Sequence, residues 1–331
     1  MNILSPISKI TISVFLILLT WSCNELSNSP YPTISFVKRS TIPGNGRSSA
    51  VAFSMNGKGY IGLGRDSLKN QLNDCWEYNP VNDSWSVKTP FPGIGRVKAM
   101  AATVNGKAYV GLGFNISLGV YNSDACLKDF FMFDPVSDSW TKKADFPSNY
   151  TDACVSFVYK NIIYVGSGFN GDIFGSEFWK YIPDQDKWIR LNNFPGAERA
   201  AAVICSNEDH IYFGTGYRAL NENDWWEYFP DSDSWKLIDH IPDNGRENAV
   251  ALSINNRFFI STGRQFGGNL TGGHVKSDIL EYDTIRKVWY KRGDIPVARE
   301  NAVAFTINGI GYIGFGENDT KVLNDFWSFE P

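Results

Sequence analysis

Tyr109-Val110-Gly111-Leu112-Gly113, followed after a variable loop by Phe130-Phe131-Met132-Phe133-Asp134-Pro135 and Trp140, is the stretch of sequence that decides the fold. These landmarks, with Arg96 and Ala99 upstream of them, recur about every fifty residues along the chain. A repeat of this length corresponds to one supersecondary unit, which buries its apolar face against its neighbours. The chain is therefore predicted to be an array of copied units.

Counting the landmarks defines six units. An alanine stands three residues after the opening position of every unit, at Ala50, Ala99, Ala153, Ala202, Ala249 and Ala302. The opening position is an arginine in five units, and Tyr150 is the exception. The closing tryptophan appears only five times, at Trp85, Trp140, Trp188, Trp235 and Trp289. One closing strand is therefore missing from this count.

The segment from Thr33 to Ser40 is predicted to supply the missing strand. Its Phe36 stands eleven residues before Arg47, and the tryptophans precede later units by ten or eleven residues. The last unit ends at Pro331, one strand short of the others. A ring in which the N-terminal strand completes the last blade explains both observations and leaves no open sheet edge. The sequence predicts an all-β protein, a closed six-bladed β-propeller spanning residues 33–331.

The composition fits a large globular domain. Of the 331 residues, 43% are hydrophobic and 15% aromatic, which is enough apolar surface for an extensive core. The formal net charge is −4, and removal of Lys9 with an N-terminal segment leaves 30 basic against 35 acidic residues, or −5. Because this mildly acidic balance comes without runs of Lys or Arg, we expect no nucleic-acid partner.

The first 22 residues differ in kind from the rest. Lys9 is their only charge, and Ile10 to Leu19 is an apolar run of signal-peptide length, short for a membrane span. The run leads into Leu19-Thr20-Trp21-Ser22-Cys23, which resembles a bacterial lipoprotein processing site with Cys23 as the lipidated residue. The resemblance implies a signal peptide over 1–22, a polar tether over 23–32 and export to the outer membrane, on its periplasmic face or at the cell surface. Cleavage nearby without lipidation is the alternative.

The repeats resemble those of the Kelch family. The matching elements are a glycine pair that ends the second strand, spread here as Gly-x-Gly, and an aromatic residue followed seven residues later by tryptophan. The fifth unit departs from the glycine pattern with Ser261-Thr262-Gly263. The resemblance covers residues 33–331 and implies the propeller fold, but one such scaffold carries many unrelated functions.

In this topology the loops after the second strands and the links between blades emerge on one face, around the mouth of the central channel. Long variable loops such as 114–127 and 264–276 make this face the predicted binding surface. The opening arginines, with Glu247 and Glu300 beside two of them, are candidate ligands for an anion, since guanidinium matches planar oxyanions. A bond from each arginine to the neighbouring blade is the alternative, and repetition favours it. The arginines are Arg47, Arg96, Arg199, Arg246 and Arg299.

Residues that break the repeat are further candidates for ligand binding. One such residue follows the last glycine of each second strand: Arg65, Phe114, Phe169, Tyr217, Arg264 and Glu317. Exposed aromatic rings at these positions can stack on sugar rings while the arginines supply polar contacts. Packing within the loops is the alternative.

Together these features favour a membrane-anchored binding protein that recognises a glycan or a protein partner at the loop face, without a cofactor. N-acetylneuraminate epimerases, exported Kelch-type propellers of six blades, are the enzymatic alternative. Mutarotation needs an acid and a base near the sugar ring, and Arg246-Glu247 or Arg299-Glu300 would suit, although no catalytic residue is assigned. Galactose oxidase also contains a Kelch-type propeller, but His210, His240 and His274 are the only histidines, and we expect no metal site.

Four cysteines remain beyond Cys23. Cys154 and Cys205 take inner-strand positions that are apolar in other units, so we expect them to be buried as small hydrophobic residues. Export would permit a disulfide between Cys75 and Cys126, and the spacing alone leaves that question open.

Overall fold

A computed structural model of the chain describes residues 26–44, 46–119, 122–266 and 272–331. The predicted signal peptide, Cys23 and the start of the predicted tether lie outside the described residues. Within these ranges the chain forms 25 β-strands and three short 3-10 helices, at Ile116–Leu118, Ser123–Ala125 and Pro183–Gln185. No helix in these ranges is long and apolar enough to cross a membrane.

The strands form six small antiparallel sheets, the blades of a propeller. Blade 6 takes its outer strand from the N-terminal β1 (Phe36–Arg39). Blade 1 is β2 (Val51–Met55), β3 (Lys58–Gly62), β4 (Cys75–Asn79) and β5 (Ser84–Lys88). Blade 2 is β6 (Met100–Val104), β7 (Lys107–Gly111), β8 (Phe130–Asp134) and β9 (Ser139–Lys143). Blade 3 is β10 (Val155–Tyr159), β11 (Ile162–Gly166), β12 (Phe178–Ile182) and β13 (Lys187–Arg190).

Blade 4 is β14 (Val203–Ser206), β15 (Ile211–Gly214), β16 (Asp224–Phe229) and β17 (Ser234–His240). Blade 5 is β18 (Val250–Ile254), β19 (Arg257–Ser261), the two-residue β20 (Arg264–Gln265), β21 (His274–Asp283) and β22 (Val288–Arg299). Blade 6 is completed by β23 (Val303–Ile307), β24 (Ile310–Gly314) and β25 (Phe326–Phe329). The all-β, six-bladed propeller predicted from the repeats is therefore confirmed.

Local sequence explains why each blade forms. Side chains in β2, β6 and β18 alternate between buried and half-buried, as expected of strands packed on both faces between neighbouring blades. The inner hairpins of blades 1 and 2 turn at Asn56-Gly57 and Asn105-Gly106, whose φ angles all lie between +51° and +72°. Asn-Gly pairs favour this type I′ geometry, which matches the twist of the strands.

The inner strands surround the axis, and each contacts the next in a closed circle. Just before them, one residue per blade has a left-handed φ of +53° to +55°. We call these six residues the axial ring: Ser49, Lys98, Ala153, Ala201, Asn248 and Asn301. Five of their amide N–H groups donate to the carbonyl of the axial-ring residue in the preceding blade, at 2.9–3.1 Å. The blades are thus joined at the axis through their backbones.

The ring closes where the sequence predicted. β1 pairs with β25 so that Phe36 stands opposite Phe329. This is the register of Trp85 opposite Tyr78 in blade 1, and the rings of Phe36 and Phe329 are 5.3 Å apart. Phe36 therefore occupies the place of the missing sixth tryptophan, and β1 supplies the fourth strand of blade 6.

The hydrophobic core consists of six clusters, one between each pair of adjacent blades. The cluster between blades 6 and 1 is typical: Tyr78 packs edge-on against Tyr312 and Phe326, with ring centroids 5.5 and 5.2 Å apart. Aromatic side chains fill these wedges because the blades diverge away from the axis. Stability therefore depends on every neighbouring pair of blades.

Two expectations need correction. In blade 3 the opening position is Thr151 rather than Tyr150. The N–H of Gly113 donates to the carbonyl of Thr151, just as the N–H of Gly64 donates to the carbonyl of Arg96, the opening residue of blade 2. Thr151 stands eleven residues after Trp140, the spacing found before four of the five arginines, and Cys154 takes the place of the repeated alanine. The predicted tether also differs: its described part, from residue 26, lies against blade 5, where Ser27 bridges to Tyr290.

The cysteines form no disulfide among the described residues. Cys75 and Cys126 are both buried with free thiols. Burial raises the pKa of the Cys154 thiol to about 12 and that of Cys205 further, so both remain protonated. Cys205 is buried in β14, as expected, whereas Cys154 is half-buried and stands just before β10, beside the axial ring.

The closure of the ring by β1 can be tested with one substitution. Phe36→Ala removes the ring that packs on Phe329, and we expect the free energy of unfolding to fall by about 2–3 kcal/mol. Val37→Ala, on the exposed side of the same strand, is the control and should change it by less than about 1 kcal/mol. Chemical denaturation followed by tryptophan fluorescence measures both. Equal effects would show that β1 does not seal the last blade.

Candidate functional site

A buried arginine closes the entry to five blades. In blade 1, Nη1 and Nη2 of Arg47 each lie 2.6 Å from an oxygen of Asp74, and Nη1 donates to the Leu63 carbonyl at 2.8 Å. None of the five arginine side chains is more than 4% exposed. The five pairs are Arg47–Asp74, Arg96–Asp129, Arg199–Asp224, Arg246–Asp278 and Arg299–Asp325.

These arginines lie inside their blades and not at the channel mouth, where the sequence reasoning placed them. The forked donors that an oxyanion would need are already bound to a carboxylate. The arginines also bond the acid of their own blade and not that of the neighbour, because the third strand of the same sheet brings its acid within reach. The link to the preceding blade runs instead through the backbone, as in the bond from Gly64 N–H to Arg96 O. The arrangement supports the structural alternative.

Blades 3 and 5 modify this arrangement. Thr151 replaces the arginine in blade 3, and its hydroxyl donates to the Gly113 carbonyl at 3.2 Å. In blade 5, Arg246 contacts a second acid, Asp243, at 2.5 Å. Burial alone would raise the pKa of Asp243, but Arg246 and Lys276 hold it below its usual range.

The mouth of the channel is built from six equivalent pairs of residues. In each blade the residue after the opening position forms an isolated antiparallel bridge with the residue that follows the last glycine of the second strand. The pairs are Ser48–Arg65, Val97–Phe114, Asp152–Phe169, Ala200–Tyr217, Glu247–Arg264 and Glu300–Glu317. All the residues predicted to break the repeat therefore lie in one ring around the mouth.

Blades 5, 6 and 1 form a charged arc of this ring, made of Glu247, Arg264, Glu300, Glu317 and Arg65. Arg264 Nε is 2.6 Å from Glu300, and Arg65 Nη2 is 2.8 Å from both carboxylate oxygens of Glu317. Each of these pairs joins two adjacent blades. The charged arc is therefore a preformed network and not a set of independent flexible side chains.

Blades 2 to 4 and the edge of blade 5 form an aromatic arc opposite the charged arc. It consists of Phe114, Phe169, Phe174, Tyr217 and Phe266. The last four make a continuous strip, with ring centroids of successive members 4.9, 5.9 and 5.5 Å apart. Phe266 remains 37% exposed. Phe114, in contrast, is buried with Val97, Ala125 and Cys126, as the loop-packing alternative predicted. The mouth thus has the strip of rings from Phe169 to Phe266 on one side and charged groups on the other.

A cavity of about 310 Å³ lies at the mouth between Arg65, Lys98, Phe114, Asp152 and Asn301. Burial raises the pKa of Asp152, which Lys98 lowers in part. One carboxylate oxygen of Asp152 is fully buried without a hydrogen-bond partner among the described residues. Buried polar atoms are almost always paired, so this carboxyl group is an exception within the wall of the cavity.

Glu247 is the titratable group of the mouth with the clearest functional signature. Burial raises the pKa of Glu247 to about 7; Lys98 and Arg264 oppose the rise, and Glu300 adds to it. A carboxyl group that titrates near neutral pH can both give and take a proton. Such shifted groups concentrate at functional sites, although structural networks also produce them.

The channel narrows below the mouth and opens again on the opposite face. The axial ring and the adjacent small residues line a space of about 120 Å³. A wider cavity of about 620 Å³ lies at the far end, between the inner hairpins of blades 3 and 4. His210, from the blade 4 hairpin, is engaged there by Glu227 at 2.7 Å. No group of three or more His, Cys, Asp or Glu among the described residues is arranged to hold a metal ion.

The sequence analysis placed the six repeat-breaking residues correctly around the mouth but missed Lys98, Asn248 and Asn301. These residues belong to the axial ring, one position before the repeated alanine, where other blades have Ser or Ala. Their variation at a strictly aligned position was the available signal. Asn248 donates to Glu300 at 3.1 Å and Asn301 to Glu317 at 3.0 Å, so they extend the charged arc to the axis.

No family model matches the chain, and no curated protein matches it. Among solved structures, one titled "Structure of YjhT" is similar to it, with a TM-score of 0.73 and 20% sequence identity. The match covers 86% of this chain and 96% of that chain. At this identity the similarity establishes the propeller fold alone.

The structural role of the buried arginines predicts a large effect on stability. Arg246→Ala leaves Asp278 without its counter-charge and Asp243 with Lys276 alone, at 3.3 Å. We expect a loss of about 3–5 kcal/mol in the free energy of unfolding. Arg286→Ala, at an arginine that is 61% exposed, should leave the free energy of unfolding close to that of the wild type. The two variants are compared by urea denaturation at pH 7.

The same pair of variants has an expected pH dependence. The lowered pKa of Asp243 stabilises the folded protein above the unfolded value of about 3.9 and ceases to do so in acid. The deficit of Arg246→Ala should therefore shrink as the pH falls below about 4. A deficit that is small at pH 7 would contradict a structural role for Arg246.

The raised pKa of Glu247 predicts that its contribution to the stability of the folded protein changes with pH in the opposite direction. Its pKa is raised above the unfolded value of about 4.3, so the carboxyl group favours the folded state at low pH and loses that advantage as the pH rises towards about 7. Glu247→Gln should flatten the fall in stability between pH 4.3 and 7. Denaturation across this range, with Glu208→Gln at the opposite face as the control, measures it. Identical pH profiles for wild type and Glu247→Gln would refute the raised pKa.

Proposed function

We propose that this protein is an exported, membrane-anchored propeller of the Kelch type that binds a sugar-containing ligand at the mouth of its channel. The observation that carries the proposal is the division of the mouth into a charged arc and an aromatic arc around a cavity. Sugars have apolar ring faces and polar edges, and a site with both kinds of group matches both. The repeat pattern and the cysteine at residue 23 support the family and the anchor.

The contacts at the mouth favour a ligand that carries a carboxylate. Arg65–Glu317 and Arg264–Glu300 neutralise each other as pairs. Lys98 makes no ion pair with any described residue and lines the 310 Å³ cavity. Its ammonium group is therefore available to an anion. An acidic sugar supplies such a group in its carboxylate.

A second candidate function is the exchange of sugar anomers, as in an N-acetylneuraminate epimerase. The observation that favours it is the pKa of about 7 for Glu247, together with Lys98 close enough to influence it. Ring opening and closure need a proton to be removed from the anomeric hydroxyl and returned to the ring oxygen. Glu247 would perform this transfer while the cations hold the carboxylate.

Binding is tested with N-acetylneuraminate as the acidic probe and N-acetylglucosamine as the neutral one. Lys98→Met should weaken binding of N-acetylneuraminate by about tenfold or more, since one charged contact is worth at least about 1.4 kcal/mol. Lys160→Met, which removes an exposed lysine at the opposite face, is the matched control. Calorimetry gives the affinities and thermal unfolding the stability.

The outcomes separate the two functions. Selective binding of N-acetylneuraminate without faster anomer exchange in NMR supports the binding protein. Accelerated exchange that Glu247→Gln abolishes supports the enzyme. Equal affinities for both sugars, or for Lys98→Met and Lys160→Met, would overturn an acidic-sugar site at the mouth.

A further inference from the structure

The segment that enters the propeller is held against blade 5 before it forms β1. Ser27 N–H donates to the Trp289 carbonyl at 3.0 Å, and Ile34 N–H donates to the Arg292 carbonyl at 2.6 Å. Between them, the ring of Tyr31 lies 5.1 Å from the Arg292 guanidinium, and Nη2 of Arg292 donates to the Pro32 carbonyl. The predicted tether is therefore not a free spacer over residues 27–34.

This docking fixes where the chain leaves the propeller. Ser27 runs parallel to β22 beside its first residues, which follow the turn between β21 and β22. That turn lies on the face opposite the mouth. The second strand of each blade ends at the mouth, and the antiparallel third strand begins there and ends at the opposite face. Three residues lie between Cys23 and Ser27 in the sequence, and a chain of that length can separate their Cα atoms by at most about 14 Å.

The outer turn of blade 5 departs from those of the other blades. In blades 1 to 4 the left-handed position of this turn is an aspartate: Asp83, Asp138, Asp186 and Asp233. Asp83, for example, accepts a hydrogen bond from the Tyr78 hydroxyl at 2.7 Å and from the Ser40 amide at 3.1 Å. These carboxylates hold each outer turn to its own blade and to the preceding one.

Blade 5 has Lys287 at this position, with φ of +57°. The buried hydroxyl of Tyr282, the equivalent of Tyr78, consequently has no hydrogen-bond partner among the described residues. A buried polar group without a partner destabilises the fold. Because the exchange of acid for base loses a stabilising contact, it suggests that the basic residue serves another purpose.

The surface around this turn has the character of a membrane contact. Ile285 is 90% exposed at its tip, and Arg286 and Lys287 follow it, both exposed. The neighbouring Leu26 is 41% exposed. Asp283 pairs with Arg286, and Asp294 pairs with Lys291, so the charge of Lys287 remains uncompensated. An apolar tip flanked by basic side chains matches the acyl boundary and the anionic headgroups of a bilayer.

We propose that Leu26, Ile285, Arg286 and Lys287 form a second contact with the membrane, which orients the anchored propeller with its channel mouth facing away from the bilayer. The inference rests on the proposed acylation of Cys23. A lipid anchor on a flexible chain does not fix the orientation of the attached domain, whereas an adjacent basic and apolar patch adds a second contact that does. The short span from Cys23 to Ser27 brings both contacts to the same point.

The test uses the full lipidated chain in vesicles of phosphatidylethanolamine and phosphatidylglycerol. A photoreactive p-benzoylphenylalanine replaces Ile285 in one variant and Val136 in the other. Val136 is the matched control: it is 93% exposed, occupies the same position in the outer turn of blade 2 and lies across the ring from blade 5. We expect lipid adducts at position 285 at least about fivefold above those at 136, and a loss of this excess in Lys287→Asp.

The outcomes distinguish the proposed membrane contact at the blade 5 turn from the proposed lipid anchor at Cys23. If the chain cofloats with vesicles but positions 285 and 136 give equal adducts, the oriented contact is wrong and the anchor stands. If the native chain cofloats no better than Cys23→Ser, the anchor and this inference both fail. Thermal unfolding of each variant verifies that an absent adduct does not reflect an unfolded protein.

Discussion

In five blades a buried arginine holds three parts of the sheet together: the link that enters the blade, the carbonyl at the end of the second strand and the acid that opens the third strand. Arg299, with Phe315 and Asp325, shows the full set. The five guanidinium groups are buried while their acids remain 15–32% exposed, so each arginine depends on its acid for a counter-charge. The entry to each inner strand is thereby fixed, and the axial ring and the mouth depend on that position.

The side chains inside the blades repeat from blade to blade, whereas those at the mouth and at the outer turns of the opposite face differ. At the mouth, the six bridged pairs share one backbone arrangement and differ in side chain. On the opposite face, the outer turns share a left-handed residue that is aspartate in four blades and Lys287 in the fifth. Blade 5 contributes to both rims, since it supplies Glu247 and Arg264 to the charged arc and receives the N-terminal segment along β22. A single blade therefore connects the candidate ligand site to the candidate membrane contact.

Some charged side chains at the mouth are held in ion pairs between blades, and others are not. Arg65 and Arg264 are satisfied by acids of adjacent blades and stiffen the rim. Lys98, Asp152 and Glu247 lack such a partner among the described residues, and burial raises the pKa of both acids. A ligand would thus meet one cation and two carboxyl groups of adjustable protonation within a rigid frame.

The sequence by itself determined the number of blades, the closure by Phe36 and the face on which the variable residues meet. These follow from spacing, because a strand of known length and a turn of known type leave one way to repeat the unit. The repeated alanine misplaced the opening of blade 3 by one residue, because Ala153 stands next to Cys154, the residue that occupies the equivalent position.

Tertiary structure alone decided what the repeated arginines do and which mouth residues remain available. An arginine near an acid in sequence gives no sign of which charge it will meet. The pairing of Arg246 with Asp278 joins residues 32 positions apart, and the orphan oxygen of Asp152 results from packing between three blades. Likewise the segment predicted to be a free tether is polar in composition, but the edge of blade 5 offers it backbone partners that no local sequence pattern reveals. Burial and partner choice are properties of the assembled ring, and the physical reason is that both depend on neighbours supplied by other blades.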